Sequence, residues 1–261
     1  MGIHPTAVVA EGANIAQDAS VGPYCLVGAN VCLERGVKLV SHVVIDGKAR
    51  VGEGTVVYPF STIGLPPQDL KYQGEETAVE IGKNNTIRES VTIHRGTGTE
   101  GVTKLGEGNL IMVGAHIAHD CRIGNGAILA NVVTLAGHVD IGDHVILGGQ
   151  VGVHQFVRVG AYAMIGAGSM VSQDIVPFAL AVGDRCKLKG LNLVGLKRRG
   201  FSPGEIRALE RVFHALFLSK RPLKEVLLEL EESRDVDETP SVQQLVRFVR
   251  ESKRGIARVR D

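Results

Sequence analysis

Tryptophan is absent from the 261 residues, aromatic side chains make up only 4%, and cysteine occurs four times. A core without large rings must be filled by small and branched aliphatic side chains, which the 44% hydrophobic content supplies. Cys25, Cys32, Cys121 and Cys186 have neither CxxC spacing nor the density of a disulfide-stapled scaffold, so they read as reduced thiols. No stretch approaches the roughly 20 apolar residues of a bilayer span, which excludes stable membrane insertion by a helix. The opening segment MGIHPTAVVAEGANI lacks the basic flank and long apolar run of a secretory signal, so a cytoplasmic location is expected. A net charge of +1 gives no reason to expect nucleic-acid binding.

What the chain has in quantity is glycine, 33 residues, and a period of six. Stepping by six from Ile3 gives Val9, Ile15, Val21, Val27, Leu33, Leu39, Ile45, Val51, Val57 and Ile63 without a break. The phase returns at Ile81, Ile87 and Ile93, then runs from Leu105 to Val171, for 26 repeats in all. Four residues after each lead stands a second small or β-branched residue, as in Ala7, Ala13, Ala19, Cys25 and Val31. An α-helix cannot bury a strict period of six, because such residues rotate off one face; a short strand and a tight corner can. Glycines such as Gly22, Gly52, Gly106, Gly124, Gly142 and Gly160 follow the lead, at the corners. The expected fold is an all-β solenoid, a parallel β-helix of hexapeptide repeats, with three repeats closing an 18-residue coil and nearly nine coils in the prism.

Two segments, 64–80 (GLPPQDLKYQGEETAVE) and 95–104 (RGTGTEGVTK), interrupt the repeat and read as projecting loops. After Pro177 the repeat stops. Ser202-Pro203-Gly204-Glu205 has the pattern of a capping box with proline at the first helical position. Ile206, Leu209, Phe213, Leu216 and Phe217, then Val226, Leu227 and Leu230, then Val242, Leu245, Val246 and Val249 mark three amphipathic helices. The division is therefore a β-helix over residues 1–190 and a helical region over 191–261, read as a cap on the last coil and an oligomer contact.

Because residues 18 apart stack on neighbouring coils, the sequence also predicts positions. His119 stacks with Gly137 and Gln155, while His138 and His154 are each one residue off that column. His119, His138, His154 and Gln155 are thus expected along one edge on three successive coils, with His116 three residues before His119. Two chemistries suit such a cluster: zinc held by imidazoles, or one imidazole acting as a general base. Histidines at polar corners can also simply face solvent.

Six segments occur in order: Gln68–Tyr72, Arg88–Thr97, His116–Cys121, Leu135–His138, His154–Phe156 and Gly195–Phe201. Together they resemble the UDP-N-acetylglucosamine O-acyltransferases, hexapeptide-repeat enzymes of the first step of lipid A synthesis, over essentially the whole chain. The resemblance implies a left-handed coil and a homotrimer without metal or dissociable cofactor. It also implies transfer of a 3-hydroxyacyl group from acyl carrier protein to the 3-hydroxyl of UDP-N-acetylglucosamine. By residue matching it makes His119 the base and gives the Gly137 N–H to the oxyanion. It offers Asp120 as support for the imidazole, although strand neighbours ordinarily point apart. Substrate binding would fall to Asp69, Lys71 and neighbouring Gln68 in the first loop, to His116, His138, His154 and Gln155, and to Asn192, Arg198 and Arg199 at the nucleotide end. Guanidinium forks suit a diphosphate. Val194 stands where the family carries a carboxylate, so ribose and base contacts there must differ. Ala167 matches the position that limits acyl length, and its size implies an intermediate chain. Basic residues Arg198, Arg199, Lys253, Arg254 and Arg258 would help receive the acidic carrier protein. The alternatives are a related N-acyltransferase or a variant using a 3-amino sugar nucleotide and, outside enzymes, a trimeric hexapeptide-repeat scaffold.

Overall fold

The computed structural model describes residues 2–219, 221–231 and 239–259. Its strands, most of them two residues long, line up in three sheets of nine, eight and ten strands that form the walls of a triangular prism. From Val8 to Val171 all pairing is parallel, in register as in Val8 with Leu26, Asn14 with Cys32 and Ser20 with Lys38, except for a shift between Ile63 and Leu65 where the first interruption leaves the wall. The leading aliphatics fill the interior: Ile45, Ile63, Ile87, Ile93, Ile111, Leu129 and Leu135 are completely buried, stacked with their counterparts one coil away. Such layers are the main stabilising term of a solenoid, since each coil buries its apolar side chains only against its neighbours.

The three walls differ outside. On the eight-stranded sheet Glu80, Lys104, Arg122, Asp140 and Arg158 form a charged column. The ten-stranded sheet instead presents Leu110, Ile128, Ile146 and Met164. The nine-stranded sheet carries Thr92, His116, Thr134, Gly152 and Met170.

Both interruptions leave the prism and rejoin it. Across the first, Ile81 pairs with Val51, a separation of 30 rather than 18; across the second, Leu105 pairs with Ile81, a separation of 24. Arg95 fastens them to one another. Its Nε donates to the Tyr72 hydroxyl at 3.0 Å and its Nη1 to the Gly64 carbonyl at 3.1 Å.

Beyond the last full coil, Ala179–Val182 pairs antiparallel with Lys187–Leu191 and ends the prism. Among the described residues four helices follow: α1 (Leu193–Arg198), α2 (Pro203–Phe217), α3 (Leu223–Glu231) and α4 (Pro240–Glu251). α1 falls before the capping box, where periodicity marks no helix. The box at α2 forms: Ser202 Oγ accepts from Glu205 N, and the Glu205 carboxylate accepts from Ser202 N. The expected apolar faces of α2 and α4 are buried, including Leu209, Phe213, Val242 and Leu245. After α4 a strap returns to the prism. Asp174, wholly buried, accepts from Ser252 Oγ at 2.7 Å and from Arg158 N at 2.9 Å, while its backbone pairs with Gly255 and Ala257.

Candidate active site

His119 and Asp120 stand at a corner between the nine- and eight-stranded walls. Asp120, His138 and Phe156 occupy equivalent places on successive coils, with φ of +59°, +60° and +64°. This left-handed conformation costs a non-glycine residue about 1 kcal/mol or more. It is held by corner-to-corner bonds, His138 N to His119 O at 3.0 Å and Phe156 N to Gly137 O at 3.1 Å. The turn also voids the alternation of strand side chains. Adjacent His119 and Asp120 converge, with Nδ1 2.9 Å from Oδ2.

The second interruption supplies the rest of the carboxylate's environment. Thr97 Oγ1 donates to Asp120 Oδ2 at 2.6 Å, Thr97 N reaches both carboxylate oxygens, and Thr103 Oγ1 accepts from Asp120 N at 2.8 Å. Burial pushes the Asp120 carboxyl upward, but the hydrogen bonds from Thr97 and His119 and the neighbouring His138 outweigh it and hold it below the usual carboxylate range. An ionised carboxylate only accepts, so Nδ1 of His119 carries the proton and Nε2 keeps its lone pair. The imidazole lies over Gly137. A Cβ there would stand 2.4 Å from Cε1 and 2.5 Å from Nε2, so only glycine admits the ring.

His138 meets His119 edge to face, ring centroids 5.2 Å apart, and stacks on Phe156 at 4.6 Å; its Nε2 is 3.7 Å from Asp120. His116 bonds Thr92 Oγ1 at 2.6 Å and contacts the His94 ring, centroids 4.9 Å apart. His94 is buried, with Nδ1 unpartnered, and desolvation together with neighbouring His116 and His119 pushes it down to about 4. Ligand atoms of His119, Asp120 and His138 lie within 4.8 Å of one another, a spacing a divalent cation could also bridge. Cys121, next in sequence, is no alternative nucleophile, because burial pushes its thiol up to about 12.

The column of 18-residue steps thus brings His119, Gly137 and His138 together, with His116 nearby. Gln155 and His154 follow at the next corner of the same edge, where Phe156 N donates to the Gly137 carbonyl. Gln155 is exposed, and His154 is turned to Arg254, whose Nη2 is 2.8 Å from its Nδ1. The imidazole follows the C-terminal strap, which coil arithmetic does not include. In the first loop, Gln68 and Lys71 are exposed and the Asp69 carboxylate accepts from Lys71 N at 2.9 Å. Asn192 caps α1: its Oδ1 accepts from Gly195 N and its Nδ2 donates to the Tyr162 carbonyl, so one amide hydrogen and one lone pair remain for any ligand. Arg198, Arg199 and Val194 are exposed on or just after α1, and Ala167 is exposed at a corner of a late coil. His94, Thr97 and Thr103 have no assigned role in the sequence reading. His94 lies one 24-residue step from this coil, across the second interruption, whereas Thr103 lies an ordinary 18-residue step from Cys121.

Hexad coils with a carboxylate-oriented imidazole set over a corner glycine define an acyltransferase of the hexapeptide-repeat class. A bacterial transferase hexapeptide (six repeats) model matches residues 103–137, and a UDP-N-acetylglucosamine O-acyltransferase domain 2 model matches residues 174–257. The chain is 49% identical over 257 residues to an acyl-(acyl-carrier-protein)-UDP-N-acetylglucosamine O-acyltransferase of Thermodesulfovibrio yellowstonii, covering 98% of this chain and 99% of the relative. The crystal structure of UDP-N-acetylglucosamine O-acyltransferase from Moraxella catarrhalis superposes with a TM-score of 0.95 at 45% identity, covering 99% and 100% of the two chains. The corresponding structure from Acinetobacter baumannii gives 0.94 at 42% identity, covering 98% and 99%. The chain belongs to the UDP-N-acetylglucosamine O-acyltransferase family.

Proposed function

We propose that the enzyme transfers a 3-hydroxyacyl chain from the thioester of acyl carrier protein to the 3-hydroxyl of UDP-N-acetylglucosamine, with His119 as general base. The observation that carries the mechanism is the Asp120–His119–Gly137 alignment: one ring nitrogen bonded to a carboxylate, the other over a backbone with no side chain. His119 Nε2 takes the hydroxyl proton as the oxygen attacks the thioester carbonyl. The tetrahedral oxyanion is received by the Gly137 N–H. Collapse breaks the C–S bond, and the imidazolium returns its proton to the departing thiolate, so the base is regenerated. Asp120 stays ionised and stabilises the imidazolium.

In this reading Asp69 and Lys71, with Gln68 beside them, hold the sugar, and His116, His138, His154 and Gln155 line the acceptor path. Asn192, Arg198 and Arg199 hold the nucleotide end, and Ala167 sets an intermediate acyl length. The aliphatic column Leu110, Ile128, Ile146 and Met164 on the ten-stranded wall supports a homotrimer, since an outward apolar stripe on a rigid wall calls for a symmetric partner. The basic strap and α1 suit the acidic carrier protein. The cytoplasm, where reduced thiols persist, suits the four free cysteines, and no helix among the described residues is long and apolar enough to cross a membrane.

The test is a coupled assay with UDP-N-acetylglucosamine, its 3-amino analogue and carrier-protein thioesters of graded length. Wild type should use the 3-hydroxyl acceptor, and His119→Ala should lose about 10³-fold in kcat with the oligomer intact. Near-normal transfer by that variant, a clear preference for the amine, or stoichiometric zinc in the purified protein would overturn the reading.

A further inference from the structure

The strap that follows α4 does more than close the prism. It is fixed at its centre by the buried Asp174, which takes Ser252 Oγ on its side chain and exchanges backbone bonds with Gly255 and Ala257. Farther on, Val259 bridges to Leu188. Between Ser252 and Gly255, Arg254 reaches the corner above Gly137. Its Nε donates to the Ser172 carbonyl at 2.9 Å, and its Nη2 stands 2.8 Å from His154 Nδ1. A cleft of about 700 Å³ opens here, lined by Phe156, Arg158, Asp174, Glu251, Lys253 and Arg254.

His154 Nδ1 has two neighbours that demand opposite things of it. The Gln155 carbonyl oxygen, 3.2 Å away, only accepts and would require Nδ1 to carry the proton. The Arg254 guanidinium only donates and requires Nδ1 to be bare. The arginine contact is shorter and charge-assisted, the stronger of the two kinds of bond. It therefore decides the tautomer: Nδ1 accepts and Nε2 carries the hydrogen. Remove the guanidinium, and the Gln155 carbonyl selects the reverse form, with a lone pair on Nε2.

We infer that Arg254 is a positioning residue for the acceptor end of the site, holding His154 as the Nε2–H donor toward an oxygen-rich, anionic sugar nucleotide. This rests on the reading that His154 meets that substrate. The arginine acts through the imidazole, and the strap thereby becomes part of the active site.

The experiment uses the full-length protein. Imidazole ¹⁵N spectra of wild type should show His154 as the Nε2–H tautomer; Arg254→Ala should move it to the Nδ1–H form or to a mixture. In kinetics Arg254→Ala should raise KM for UDP-N-acetylglucosamine about tenfold with kcat nearly unchanged, and Arg254→Lys, which keeps a charged donor group, should restore part of the loss. In a His154→Ala background the Arg254→Ala substitution should add nothing further. An unchanged tautomer in Arg254→Ala, or an equal effect with and without His154, would overturn the inference and leave the arginine a mere fastener of the strap. If His154→Ala itself leaves KM unchanged, it is the underlying placement of the substrate that fails.

Discussion

From Val8 to Val171 the prism joins residues 18, 24 or 30 positions apart, rung after rung. In the C-terminal strap, besides its backbone pairs, individual side-chain bonds reach the prism across 78, 82 and 100 residues. The prism makes position a matter of arithmetic: a residue type placed at one corner lies over the residue one coil earlier whatever the side chains are. The tail makes position a matter of particular partners, a capping serine, a buried aspartate, a forked guanidinium. A scaffold of the first kind is indifferent to its chemistry. The second kind cannot be altered without being felt locally.

The sharpest way to break this comparison is to disturb chemistry while leaving the arithmetic alone. Gly137→Ala places a methyl group 2.4–2.5 Å from the His119 ring, which must swing off Asp120 to make room. The expected loss is about 10²- to 10³-fold in kcat, in line with misplacing a base or an oxyanion donor. Circular dichroism and the oligomeric state should stay as in wild type; a fully active variant would show that the imidazole need not lie over that backbone.

A second, smaller effect lies inside the prism and appears only in acid. His94 titrates near 6.5 when unfolded but is pushed down to about 4 in the fold, so between these values the unfolded chain binds the proton and the native chain does not. Stability contributed by the neutral ring is therefore whole above about pH 6.5 and falls as the pH drops, by about 2 kcal/mol at pH 5 and about 3 kcal/mol at pH 4. His94→Leu should remove much of this slope. Denaturant midpoints at pH 7 and pH 5 for both proteins decide it, and equal acid sensitivity would count against the buried neutral imidazole.

The smallest effect belongs to the tail. Ser202→Ala removes the side-chain acceptor of the α2 capping box and should cost about 1 kcal/mol. Transfer kinetics should be unchanged, because the coils that carry His119 do not depend on α2. A loss of activity equal to that of Gly137→Ala would erase the distinction between the two regions.

The same distinction explains what could be read from the sequence. The walls, the buried leads and the placing of His119 over Gly137 follow from the period, since burial enforces it at every coil. Asp120 was harder, because the alternation that separates strand neighbours fails where the backbone turns left-handed. His94 and Thr97 are hidden by length: the second interruption lengthens the step to 24 residues, which sets His94 level with Ala118 and close to His116 rather than level with Met112. The partner of His154, Arg254, is not legible from the repeat, because it lies 100 residues on, beyond any coil. Short α1 left no periodic mark, being one and a half turns held by the Asn192 cap.

The strap also sets an order of events. Coils need only their neighbours, so the prism can grow as the chain leaves the ribosome, each turn templated by the one before. Asp174 and His154 are made early but wait for Ser252 and Arg254, which emerge after every coil and after α4. His119 and Asp120 are thus in place well before synthesis reaches the strap. The contacts of His154 and Asp174 are completed only when the strap has been made and has folded back, so an unfinished chain would hold an assembled prism with these two partners still missing.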